Sequence, residues 1–476
     1  MLSEDVLYLP VTELSARVRR GELSPVELTE SYLARLERLG PKLGAVATLT
    51  RELALEQARQ AEKELSAGRY RSPLHGIPYG AKDLLATRGV KTTWGAPPYQ
   101  EQVFDYDGTV IRKLREAGAV LVAKLAMIEL AGGGGYSNGK ASLTGPTLNP
   151  WDTTRWAGGS SSGPGAATAA ALVGFSIGSE TWGSILTPSS FCGVSGLRPT
   201  YGRVSRTGAM ALSWTMDKLG PMCRSADDCG LVLAAIAGFD PDDPSSADAP
   251  FAYQPESAGQ RGGGSLRGLR VGWIREDFEK YGEKEVEKLY QDALAVLGRL
   301  GAQVAEAKLP EFPYDAAAET IISAEGAAAF DTLIESGRLK ELVDERQQKG
   351  MASGEKVSAA DYIRAMRIRR LIQAGLAELY AKFDVLIAPS LLFVANPIEA
   401  DLDTVFRGGS SIGAAGNLAG LPGLGVPMGF GAAPEPSGLP VGLSIVGKPF
   451  DEATVLRVGS AYQQATDWHT RRPPLT

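Results

Sequence analysis

Between Ala131 and Gly208 the chain runs through a tract dense in glycine, serine and threonine, interrupted by a small-residue helical stretch (Gly165 to Leu172) and an apolar one (Val173 to Ile177). Residues that small let backbone segments come close to one another and to a ligand, as a binding cleft requires and an ordinary core does not. The chain carries 57 glycines in 476 residues, against a usual share of roughly 7 %. The excess is concentrated here, so a loop-rich centre with tight backbone approaches is expected.

The flanking sequence supplies a scaffold. Residues 10–67 read as helices. Ser24-Pro25-Val26-Glu27 is a capping box with proline at the first helical position, followed by Leu28, Tyr32, Leu33 and Leu36 at helical spacing. HGIPYGAKD (75–83) punctuates with Gly76, Pro78 and Gly80 and predicts a turn or short strand feeding a functional loop. Thr109 to Ala117 then reads as helix and Ala119 to Ala123 as a buried strand. Residues 240–268 are the best linker or surface loop. Beyond them come a strand (269–274), a helix (283–301), a strand (302–308), mostly helix from 311 to 380, a buried strand at 384–390 and a last helix from Asp451 to Ala465. This rhythm predicts one α/β domain over 1–476 with a helical segment at 1–70; it is the motifs within 75–240, and not the rhythm, that mark that stretch as the expected catalytic core.

Charge and composition remove several classes. The net charge of −6 comes from interspersed acids and bases, without the basic stripe that would track nucleic acid. No run reaches 18 apolar residues and the first residues do not read as a leader, so a cytoplasmic protein with no membrane partner is expected. Three cysteines, Cys192, Cys223 and Cys229, form no C-x-x-C pair and read as buried thiols, with neither metal nor cofactor implied. Only His75 and His469 are available as histidine bases. A hydrolase built on this chain therefore uses one of these two or another base, with His75 reading as structural more readily than catalytic and His469 given no role.

Three segments carry candidate chemistry: Lys82 in YGAKDLL, Ser160 to Ser162 in WAGGSSSGPGAA, and Ser184 in GSETWGSILTPSS. Each alone has a bland explanation, as a solvated lysine, a flexible GS linker and a turn. In this order the blocks GIPYGAKD, GGSSSG (158–163), GSETWGSILTPSSFCGVSGLRPTYGRVS (178–205) and NLAGLPGLGVPMGF resemble the amidase signature family, whose two motif serines stand 24 positions apart, as Ser160 and Ser184 do. The resemblance implies a central mixed, twisted β-sheet covered on both sides by α-helices. It also implies hydrolysis of a carbon–nitrogen acyl bond through a Ser-cisSer-Lys triad. Ser184 would be the nucleophile, Ser160 the bridge following a cis peptide bond, and Lys82 a base made neutral by desolvation. The backbone N–H groups of Thr181, Trp182, Gly183 and Ser184 would form the oxyanion hole, with Ser161 and Glu180 in support.

This chain departs from the family pattern at three points. Glu180 replaces an aspartate, Trp182 a glycine, and Leu186 the arginine that holds a substrate carboxylate in some relatives. Trp182, Leu186 and Met210 are therefore expected to face the substrate and to favour a neutral or apolar amide, aryl amide, carbamate or ester. On this reading the glutamine-hydrolysing subunit of an aminoacyl-tRNA amidotransferase is the alternative, and an inactive scaffold homologue a further one. The segment 208–222 reads either as a pocket wall formed by Met210, Leu212, Trp214 and Met216 or as a core strand. Residues 311–410, with Ile321, Ala324, Ala328, Phe330 and the RGGSSIGAAG stretch (407–416), are expected to supply an acyl-binding wall and lid. A small-molecule substrate and a monomer or homodimer complete the expectation.

Overall fold

The computed structural model describes residues 1–255, 265–275, 282–406, 411–431 and 438–475. An 11-stranded mixed sheet forms its frame, in the spatial order Val46–Leu49, Val120–Leu125, Pro78–Lys82, Phe175–Glu180, Lys218–Cys223, Ser195–Arg198, Gly423–Gly431, Leu439–Gly447, Val385–Pro389, Arg270–Ile274, Gln303–Ala307. Pro78–Lys82 runs parallel to both of its neighbours, while Lys218–Cys223 is antiparallel to Phe175–Glu180. The two faces follow from side-chain alternation along a strand. Leu121 joins one apolar cluster, whereas Val120 and Val122 join another, packed with Leu33, Leu36 and Ala166. Helices therefore cover both sides of the sheet.

The predicted elements map closely, with three differences. The 10–67 segment is not wholly helical: after the helix Pro25–Leu43, whose Ser24 hydroxyl accepts from the Glu27 N–H at 3.1 Å, Val46–Leu49 adds an antiparallel edge strand. The small-residue helix spans Ser162–Ala169, a few residues earlier than its alanines suggest, because Pro164 sits in the first turn, where its missing N–H costs no bond. Neither reading of 208–222 holds throughout, since the strand begins only at Lys218. The Asp217 carboxylate captures the N–H groups of Leu212 and Ser213 at 2.8 and 2.9 Å, folding 212–217 into a turn that cannot join the ladder. Residues 256–264 of the linker and 407–410 of the expected lid lie outside the described residues. No described helix is long and apolar enough to cross a membrane.

Candidate active site

The motif residues converge at the C-terminal ends of the parallel strands Pro78–Lys82 and Phe175–Glu180, where open α/β sheets tend to bind ligands. Lys82 is the last residue of its strand and is wholly buried. Its Nζ donates to three hydroxyls: Ser160 Oγ at 2.8 Å, Ser179 Oγ at 2.9 Å and Ser161 Oγ at 3.0 Å. Burial brings the lysine down from 10.5 to about 7, with the charges of Asp217 and Glu180 opposing part of the shift. Hydroxyls suit such a lysine, since a hydroxyl can accept from an ammonium or donate to a free amine; Ser161 Oγ directs its own proton to the Ser179 carbonyl at 3.1 Å, which leaves that exchange to Ser160 and Ser179.

Ser160 and Ser161 occupy the turn before Ser162–Ala169, and the Gly159–Ser160 peptide bond is cis. The Ser161 N–H donates to the Ser184 carbonyl at 3.2 Å, joining the two serine-bearing segments. Gly158, at φ +83°, lies so close to the Pro188 backbone that a Cβ would approach Cα to 2.8 Å, so the glycine allows the loop to settle on the helix Leu186–Cys192.

Ser184 lies between that helix and the strand Phe175–Glu180 and is 7 % exposed. The preceding Gly183 holds φ +83°, a conformation side-chain-bearing residues rarely adopt. Among the described residues nothing accepts from the N–H groups of Trp182, Gly183 or Ser184, which lie outside regular structure. Glu180 anchors the turn from the opposite face of the sheet. Its carboxylate accepts from the Ile185 and Leu186 N–H groups at 2.9 and 3.0 Å, at the positive end of the helix. It also pairs with the buried Arg198 at 2.9 Å and accepts from Asn417 Nδ2 at 2.9 Å. Burial alone would raise this carboxyl, but Arg198, Lys218 and the Leu186 N–H reverse the effect and hold it at about 2.

A cavity of about 470 Å³ opens beside this centre, with Leu84, Ala131, Ser179, Thr181, Met210 and Leu212 in its wall. Met210 thus lies where a substrate group could meet it. The other two expected contacts, Trp182 and Leu186, do not line this cavity. Leu186 packs against the Gly423 and Gly425 backbone, and Trp182 packs part-buried with the cluster of Met216, Ile321 and Ile412. The 311–410 residues also act differently from expectation: Ile321 is core and Phe330 packs edge-on against Trp94. Glu325 latches the cavity wall instead, accepting from Ser213 Oγ and from the Thr215 N–H at 3.1 Å. His75 is structural, its Nδ1 accepting from the Arg71 N–H at 3.1 Å, and all three cysteines are buried thiols.

Several partners escaped the sequence reading. Alternation from the Glu180 position would have pointed Ser179 at Lys82, but Arg198 and Asn417 enter from distant positions with no local signal.

A model of the amidase family matches residues 27–456. The chain belongs to the amidase family. Membership makes it a hydrolase of carbon–nitrogen bonds other than peptide bonds. Among its curated relatives, the A subunit of glutamyl-tRNA(Gln) amidotransferase from Methylococcus capsulatus is 38 % identical, the alignment covering 97 % of this chain and 98 % of the relative. Its namesake from Chloroflexus aggregans is 40 % identical, with 98 % of each chain covered. Among solved structures, the peptide amidase of Stenotrophomonas maltophilia superposes with a TM-score of 0.85 at 33 % identity, covering 98 % of both chains.

Proposed function

We propose that this amidase works through an acyl-enzyme on Ser184. Neutral Lys82 takes a proton from Ser160, which takes the Ser184 proton as Ser184 Oγ attacks the amide carbonyl carbon. The oxyanion is received by N–H groups of the 181–184 turn. Collapse breaks the C–N bond, the proton returns through Ser160 to the departing amine, and water then releases the acid by the reverse relay. The observation that carries this reading is the buried Lys82 amine within 3.0 Å of three hydroxyls.

The curated relatives favour glutamine as the amide over a neutral aryl amide or carbamate. The objection drawn from Leu186 weakens, because its side chain packs beneath Gly423 and Gly425, away from the cavity. The cation that lines the cavity itself is Arg206, 3.6 Å from Asp243; Arg369 lies buried behind the wall, donating to the carbonyls of Leu418 at 2.6 Å and Thr215 at 2.7 Å. Under this reading the chain is one cytoplasmic component of a hetero-complex and hands ammonia to its partners, in place of the expected monomer or homodimer. The neutral-amide reading draws on the apolar walls supplied by Leu84, Met210 and Leu212.

The test is amine or ammonia release from glutamine, a neutral aryl anilide and an aryl carbamate by the wild type, Ser184→Ala and Lys82→Ala. Release lost in both variants supports the relay, and the substrate turned over selects between the readings. Turnover that survives in Ser184→Ala overturns the mechanism.

A further inference from the structure

Asp217 stands where three parts of the site meet. The strands Phe175–Glu180 and Lys218–Cys223 are antiparallel, with Ser179 opposite Leu219 and Glu180 opposite Lys218. Directly opposite residues share a face, and faces alternate along the strand. Glu180 and Lys218 therefore face Arg198 and Asn417, where Lys218 Nζ donates to Asn417 Oδ1 at 2.8 Å. Ser179, Thr181 and Asp217 take the other face, with Lys82 and the cavity. One step past the ladder, Thr181 Oγ1 donates to Asp217 Oδ1 at 2.6 Å. Asp217 Oδ2 accepts from the Leu212 and Ser213 N–H groups. A single carboxylate thus joins the first residue of the 181–184 turn to the cavity wall, on the face that Lys82 shares.

Resting on the Ser184–Ser160–Lys82 reading, we propose that Asp217 is a positioning residue, fixing the 181–184 turn through Thr181 and setting the negative charge that Lys82 faces. The charged groups bearing on this pair are Glu180 for Lys82, and Arg206 and Lys218 for Asp217, whose carboxyl is raised by burial against the pull of its Thr181, Ser213 and Leu212 contacts and of Arg206; Ser160, Ser161 and Ser179 complete the lysine's surroundings. Removing the carboxylate's charge makes the lysine easier to deprotonate, because Asp217 favours its charged form.

The experiment follows kcat/KM against pH, on whichever of glutamine or the neutral anilide is turned over. In parallel it follows the rate at which an alkyl fluorophosphonate labels Ser184, the serine oxygen displacing fluoride from phosphorus. The carboxamide introduced by Asp217→Asn can keep all three contacts, its oxygen accepting both N–H groups and its NH2 donating to Thr181 Oγ1. In that variant the acid limb moves to lower pH in both assays, and Asp217→Glu moves it back toward the wild type. Thr181→Val keeps the charge and loses the tether, so kcat falls about tenfold, the worth of one buried hydrogen bond, with the limb unmoved. A limb that stays in place or rises in Asp217→Asn overturns the inference, as does a Thr181→Val enzyme indistinguishable from wild type. Failure of the underlying mechanism looks different: the wild type then neither turns over an amide nor is labelled at Ser184.

Discussion

Two fully buried lysines sit on neighbouring parallel strands, with Lys82 opposite Leu125 and Lys124 opposite Ala81. Their surroundings differ in one respect. Lys82 meets three hydroxyls, whereas Lys124 lies 3.2 Å from the buried Asp83 carboxylate and donates to the Leu85 carbonyl at 2.8 Å and Thr92 Oγ1 at 2.7 Å. Burial lowers both, and Asp83 opposes the shift at Lys124. A carboxylate and a carbonyl can only accept, so they hold a proton on the amine; hydroxyls serve either protonation state. On the proposed mechanism, burial alone does not make a lysine a base, and the chemistry of its acceptors separates the proposed base from the structural lysine.

The largest expected effect separates the two directly. Lys82→Met should lower kcat at least 10³-fold while leaving the fold intact, consistent with loss of a triad member. Lys124→Met should instead leave Asp83 buried and unpaired, costing about 3–5 kcal/mol in denaturant unfolding. A stable Lys124→Met enzyme would break the distinction.

The pH dependence sharpens the comparison. Because the base must be neutral, kcat/KM should rise through about pH 7 and level off above it. The same lowered value has a consequence for stability. Between about 7 and the ordinary 10.5 the unfolded chain holds a proton that folded Lys82 has lost, so this group makes the fold more stable as pH rises across that window. Wild type minus Lys82→Met, measured by urea unfolding from pH 7 to 10, should show that slope; a flat difference would contradict the lowered value.

The smallest effects come from single hydroxyls. Ser179→Ala should lower kcat about tenfold while Thr92→Ala should spare kcat, although each loses one buried hydrogen bond and should cost about 1 kcal/mol of stability. Equal effects on activity would erase the contrast between the two lysines.

Much of this was legible in the chain. Apolar alternation and the capping signal at Ser24 located most strands and helices, because local periodicity fixes which face is buried. Lys82, Ser160 and Ser184 stood out because the order and spacing of their motifs resemble the amidase signature. What stayed hidden depends on distant pairing: Asn417 reaches Glu180 across 237 positions, and Glu325 reaches Ser213 across 112. The packing of the expected substrate contacts was hidden for a similar reason. Trp182 and Leu186 neighbour Ser184 in sequence, yet the helix that begins at Leu186 turns its side chain onto a glycine-bearing strand supplied by residues far downstream.

The most direct test of the central claim is to map the acyl-enzyme. Wild type mixed with its turned-over amide and quenched at several pH values, then digested for mass spectrometry, should carry the acyl group on Ser184. Its formation rate should rise through about pH 7, and both Ser184→Ala and Lys82→Met should remain unmodified. An acyl group on another residue, or one that forms on Ser184 as readily without Lys82, would contradict the account.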